Sequence, residues 1–210
     1  MDRLYDIVTF DCYGTLIDWE SGITSAFGND FDRDEIIRLH TEIEPIVERD
    51  YRPYRDVLAE TAKQIGARLG FSTDGRFLAE SLPSWKPFPD TNPALERLRA
   101  GHRLGILSNV DDDLIALTRR HFTVDFDLVI TAQQVRSYKP GHAHFTTARE
   151  RIGNARWLHA AQSNYHDVVP ANALGIPSAW VNRKNEDSLP GGIPTHEVRD
   201  MAGLAELLAP

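Results

Sequence analysis

The chain opens on a short apolar run, Ile7-Val8-Thr9-Phe10, that ends on a carboxylate, Asp11, and is followed by Tyr13, Gly14 and Thr15. Such a run, closed by turn-forming residues, predicts a strand. The period then changes. Ile36, Ile37, His40, Ile43, Ile46 and Val47 recur at spacings of three and four, the stripe that one helix face requires, and Pro45 should bend or end that helix. A cleaner helix is predicted over 54–69, with Tyr54, Val57, Leu58, Thr61, Ala62, Ile65 and Leu69 on one face and Gly70 placed to stop it. A third helical piece covers about 75–82. The stretch "PSWKPFPDTNP", with four prolines in eleven residues, then marks a boundary.

Beyond residue 91 helices and strands alternate. A helix at 92–100 precedes the strand "RLGILSN", which ends on Ser108 and Asn109. A helix over 112–121 starts at Asp111-Asp112-Asp113, and a strand over 126–131 follows. A helix at 142–152, a strand at 155–161, a short helix in "DVVPANALG", a strand at 178–182 and a final helix at 202–209 complete the pattern. This alternation predicts parallel βαβ units with helices on both faces of the sheet. The fold class is therefore α/β: a doubly wound, Rossmann-like core domain from 1–16 and 89–210, with a helical cap domain, 17–88, inserted after the first strand.

Composition narrows the function without choosing it. Apolar content of 41% and charged content of 26% are those of a soluble globular protein. A net charge of -8 argues against a nucleic-acid surface, which needs a basic face. No stretch approaches the roughly 20 apolar residues that span a bilayer, and no signal-peptide pattern opens the chain. The single Cys12 excludes an internal disulfide and any multi-cysteine zinc site. The expectation is a cytoplasmic protein with a small-molecule substrate and neither nucleic acid nor membrane as partner; an apolar cap face would suit a homodimer.

In open parallel sheets, ligands bind beyond the carboxyl ends of the strands. Four polar clusters stand there: Asp11 to Thr15, Ser108-Asn109, Lys139 in "SYKPGHAHF", and "AQSNYHD" at 161–167. Together they supply a carboxylate, a hydroxyl–amide pair, a lysine and a second carboxylate. In order and spacing, "FDCYGTL", "LSN", "YKP" and "SNYHD" resemble the four motifs of the haloacid dehalogenase superfamily. Tyrosine two residues after the nucleophile, where the superfamily's phosphatases carry aspartate, resembles the 2-haloacid dehalogenase branch.

The resemblance implies that Asp11 attacks the halogen-bearing carbon and forms an ester, which water hydrolyses at the aspartate's own carboxyl carbon. It implies that Lys139 holds Asp11 ionised and that Asp167 anchors Lys139 and positions the water. Thr15, Ser108, Ser163 and Asn164 would hydrogen-bond the aspartate or the substrate, Asn109 would hold the departing halide, and the backbone at Cys12 and Tyr13 would donate to a small anionic substrate. The family's cap arginine matches near Pro45, which leaves Arg38, Arg49, Arg52 or Arg55 as replacements. His166 would form part of the pocket wall, whereas Cys12, Trp19 and Trp85 read as packing residues.

Tyr13 also has a physical rationale. An alkoxide leaving group benefits from a general acid, whereas halide leaves unprotonated, and a second carboxylate would raise the pKa of Asp11. Without that acid, and with Gln162 in the fourth cluster where a metal-binding acid could stand, Asp11 and Asp167 make a thin cage; no metal or other cofactor is expected. The alternatives are a phosphatase-like hydrolase of the same superfamily and a non-catalytic descendant that binds a small carboxylate.

Overall fold

The predicted opening strand, β1 (Ile7–Phe10), is buried along its whole length. In the computed structural model, which describes residues 4–208, the helical insertion follows it: α1 (Trp19–Phe27), α2 (Arg33–Val47), α3 (Tyr54–Leu69) and α4 (Arg76–Ser81). The alternating part begins with α5 (Thr91–Arg99), β2 (Arg103–Ser108), α6 (Asp112–Thr118), β3 (Leu128–Thr131) and the short α7 (Ala132–Val135). It continues with α8 (Ala143–Ile152), β4 (Trp157–Ala161), α9 (Val169–Ala173), β5 (Ser178–Val181), β6 (His196–Val198) and α10 (Met201–Leu208). Residue 209 of the predicted last helix, and the outer ends of the predicted core domain at 1–3 and 209–210, lie outside the described residues.

All strand pairings are parallel, in the order β3-β2-β1-β4-β5-β6. β1 is therefore central, and successive connections depart from it in opposite directions, which opens a crevice at its carboxyl end. The two sheet faces carry separate cores. Val8 and Phe10 join the larger cluster, which continues into the helical insertion, while Ile7 packs with Leu107, Ile130, Phe145 and Ile152 on the other face.

Several elements depart from the sequence pattern. α1 is unpredicted because it buries only Ile23 and Phe27; its start is set by Asp18, whose carboxylate accepts the Ser21 N–H. α2 continues through Pro45 to Val47, and Ile46, placed on its apolar stripe by spacing, is 55% exposed. α3 matches its predicted range and ends at Gly70, whose φ of 86° suits a residue without a Cβ. β6 is only three residues long and carries no apolar run to betray it. Asp111 opens α6, yet its side chain accepts the N–H groups of Tyr54 and Arg55 at 2.8 and 3.0 Å. It thereby caps α3 and ties the helical insertion to the sheet.

Gly22 in α1 is a close-approach position, because a Cβ there would lie 2.3 Å from Trp85 Cγ. Gly22→Ala must displace the buried Trp85 ring, against an overpacking cost of about 1–3 kcal/mol. A fall in the urea midpoint with unchanged m-value is the expected result. An unchanged midpoint would show that the ring moves freely.

Candidate active site

Asp11 sits one residue past β1, where its N–H still bonds Ala160 O of β4. The chain then turns tightly: Leu16 and Ile17 donate to Cys12 O, and Gly14 donates to Ile17 O with a φ of 99°. A side chain at Gly14 would be strained by that φ and would crowd Gln162 and Trp19. The turn brings Thr15 back beside Asp11. Its Oγ1 donates to Asp11 Oδ2 at 3.0 Å and accepts the Gln162 N–H at 2.8 Å.

Lys139 is 2% exposed, and its three ammonium hydrogens are all placed. They reach Asp11 Oδ1 at 2.8 Å, Asp167 Oδ1 at 2.7 Å and Leu107 O at 2.9 Å. Burial opposes ionisation of all three groups, but their mutual attraction overrides it at two of them. Lys139 rises to about 12. Asp167 is held well below the usual carboxylate range by Lys139 and His159. Burial and the neighbouring Asp167 hold Asp11 above the usual carboxylate range, although Lys139 and Thr15 pull the other way. The arrangement sets an ammonium group and a hydroxyl donor directly on the Asp11 carboxylate at the mouth of the sheet, contacts that favour its charged form.

A second hydrogen-bond chain supports Asp167 from behind. Trp157 Nε1 can only donate, and does so to Thr9 Oγ1 at 2.7 Å. Thr9 Oγ1 also pairs with His159 Nδ1 at 2.8 Å, and His159 Nε2 donates to Asp167 Oδ1 at 2.9 Å. Among the described residues, Asp167 Oδ2 is buried without a partner. The segment carrying Asp167, Asn164–Val168, is a π-helical turn capped by Ser163, a conformation that recurs at functional sites.

Of the residues singled out by sequence, Asp11, Tyr13, Ser108, Asn109, Lys139, Ser163 and Asp167 line one cavity between the sheet and the helical insertion. His166 lines it too, as expected, and so do Trp19 and Trp85, whose sequence positions point to packing. Cys12, Thr15 and Asn164 do not line it. Asn164 is committed elsewhere: its amide donates to Gly192 O at 2.8 Å and accepts the Leu189 N–H at 3.2 Å. Cys12 is fully buried, and burial drives its thiol pKa well up. The amide of Asn109 both donates to Lys139 O and accepts Lys139 N–H, so it holds the lysine loop. Tyr13 presents its ring to the cavity, edge-on to Trp85, while its hydroxyl pairs with Thr118 Oγ1 at 2.9 Å.

The expected cap arginine is not in the cavity wall. Arg38 pairs with Glu35 and Glu42, and Arg55 with Asp111 and Asp113. Arg49 and Arg52 open on neighbouring depressions. Among the described residues the insertion contributes Glu44, Glu48, His40 and Tyr54 as the wall's polar groups, with Thr41 beside them, and no arginine lines the cavity. Glu44 and Glu48 went unread in the sequence because acids on a helix ordinarily face solvent. His159 had a signal: Thr9 and His159 are polar residues in buried strands, and they are register partners.

A family model described as "haloacid dehalogenase-like hydrolase" matches residues 5–165. An (S)-2-haloacid dehalogenase of Pseudomonas putida is 30% identical over 96% of this chain and 95% of its own length. A protein of the same name from Pseudomonas fluorescens is also 30% identical, over 95% of this chain and 94% of its own. Among solved structures, the L-2-haloacid dehalogenase of Xanthobacter autotrophicus superposes with a TM-score of 0.84 at 22% identity, covering 97% of this chain and 98% of that one.

Proposed function

The chain belongs to the haloacid dehalogenase-like hydrolases, and on that premise we propose that it hydrolyses a short 2-haloacid through an ester on Asp11, without a metal. The observation that carries this reading is Lys139 Nζ, 2.8 Å from Asp11 in a cavity lined by Tyr13 where a second acid could stand.

An Asp11 oxygen forms a bond to the carbon bearing the halogen as the carbon–halogen bond breaks, and the electron pair leaves with the halide. Lys139 and Thr15 keep the carboxylate ionised and oriented until then. Water next attacks Cγ of Asp11, with the unpartnered Asp167 Oδ2 accepting one of its hydrogens. The C–O bond between Cγ and the substrate oxygen breaks, the alcohol leaves, and the Asp11 carboxylate and a proton are released. The donor set supports the absence of a metal step. Asp11 and Asp167 are already bridged by an ammonium group, and among the described residues no cluster of three or more His, Cys, Asp or Glu has the disposition to hold an ion.

Displacement inverts the substrate carbon and ester hydrolysis leaves it untouched, so (S)-2-chloropropionate should give (R)-lactate. In a single turnover in H2(18O), the label should enter Asp11 before it enters product. Both results, with chloride release undiminished by chelator, are expected. Label appearing in lactate on the first turnover would remove the ester from the mechanism. Magnesium-dependent hydrolysis of phosphate esters without halide release would replace the reaction altogether.

A further inference from the structure

The cap wall of the cavity presents acids where a substrate anion would want a cation. Glu44 and Glu48 stand one helical turn apart and line the cavity that holds Asp11. The two acids act on each other, and burial together with the Glu44 charge pushes Glu48 well above the usual carboxylate range. Tyr54 donates its hydroxyl to Glu44 Oε1 at 3.2 Å. His40, one turn earlier, lines the same wall, and its buried Nε2 has no protein partner. The Asp11–Lys139–Asp167 cluster sets two acids against one ammonium group. A carboxylate entering the space between these groups meets repulsion from both sides unless the acid pair is fully protonated. A carboxamide has the same shape, no charge, and N–H groups to donate.

We propose that Glu44 and Glu48 are the specificity-determining residues of the cavity: they read the carbonyl end of the substrate, take a neutral 2-haloamide directly, and admit a 2-haloacid anion only together with a proton. The inference rests on the ester reaction at Asp11 for its chemistry, and it replaces an arginine–carboxylate contact with an acid–carboxylate hydrogen bond.

Burial supports the same assignment by raising Glu44 to about 7 and Glu48 to about 9. Below the first value the pair holds two protons and offers donors; as pH rises through it, Glu44 becomes an anion and an acceptor. The other groups facing the pair are His40 on its own helix, Tyr54 on α3, Tyr138 and Lys139 on the loop after α7, and Asp11, His166 and Asp167 from the sheet. Arg49 lies beside Glu48 in the adjoining depression. Burial lowers His40 to about 4, lowers His166 and raises both tyrosines, so these four do not change charge between pH 7 and 9.

Calorimetric binding of the expected product, (R)-lactate, and of its isostere (R)-lactamide tests this without turnover. In the wild-type protein the lactate-to-lactamide affinity ratio should fall by at least about tenfold between pH 7 and 9, with lactamide bound more tightly at the upper end. In the Glu44→Gln/Glu48→Gln variant, checked for native fold by circular dichroism, the ratio should become flat with pH. The single variants should each retain part of the slope. A flat ratio in the wild type, the same slope in the double variant, or no binding of either ligand would overturn the assignment. Halide release from (S)-2-chloropropionate and (S)-2-chloropropionamide separates the two readings. Pair-dependent binding with no halide from either compound sinks the ester reaction alone, whereas halide release with a flat ratio sinks the selector alone.

Discussion

Asp11→Asn should lower halide release by about 10⁴- to 10⁶-fold while leaving the fold intact, since removal of a nucleophile typically costs this much. The amide keeps the volume of the carboxylate but offers no anionic oxygen to attack carbon. Stability should move the other way or not at all. The native cluster places two carboxylates on one ammonium, so the variant retains a one-to-one pair between Lys139 and Asp167 at 2.7 Å. Removing one of two like charges from a buried site relieves their repulsion, and a melting temperature equal to or above that of the native protein is the expected reading. Activity above about 1% of wild type, with mass spectrometry excluding reversion of Asn to Asp, would mean that another group attacks. A large fall in melting temperature would mean that Asp11 is mainly structural.

Lys139→Met should show the opposite combination, losing both turnover and stability. The side chain is 2% exposed and satisfies two buried carboxylates. Methionine fills similar space but leaves those charges unpaired, which costs about 3–5 kcal/mol at neutral pH. The pH dependence identifies the cause. In the native protein Asp167 lies below its unfolded value, so its contribution is present above the unfolded pKa and fades as pH falls through the folded one. Without Lys139 the buried carboxylates lie above their unfolded values, so the variant gains stability as pH falls from 8 towards 5. Urea denaturation across that range should therefore show the gap between the two proteins narrowing on the acid side. A constant gap would mean that lost packing, and not unpaired charge, is responsible.

Much of this arrangement is legible before folding. Ile7 to Phe10, Leu104 to Ser108 and Leu158 to Ala161 read as strands because buried parallel strands are apolar on both faces. A polar residue at the end of such a strand has few places to go except the crevice. Asp11, Ser108, Lys139 and Asp167 thus fall together once the sheet is parallel and β1 is central. Asn164 and Asn109 were harder to assign. An asparagine at a strand end looks the same whether its amide reaches a ligand or a backbone, and both of these reach backbone. Trp19 and Trp85 were likewise ambiguous, since a tryptophan that packs on a core also makes a wall.

The sequence by itself determined the α/β alternation, the helices between β1 and β2, and the Asp11 and Lys139 that meet at the strand ends, because hydrophobic period and strand-end polarity are local properties of the chain. Only the tertiary structure decided which side chains face the reacting carbon from above. The rotation of α2 against the sheet turns Glu44 and Glu48 inward and leaves Arg38 paired on the outside. That choice depends on contacts between elements far apart in the chain, such as Asp111 capping α3. No spacing along α2 could have revealed it: a glutamate facing solvent and one facing the cavity are the same letter, and only their surroundings raise their pKa.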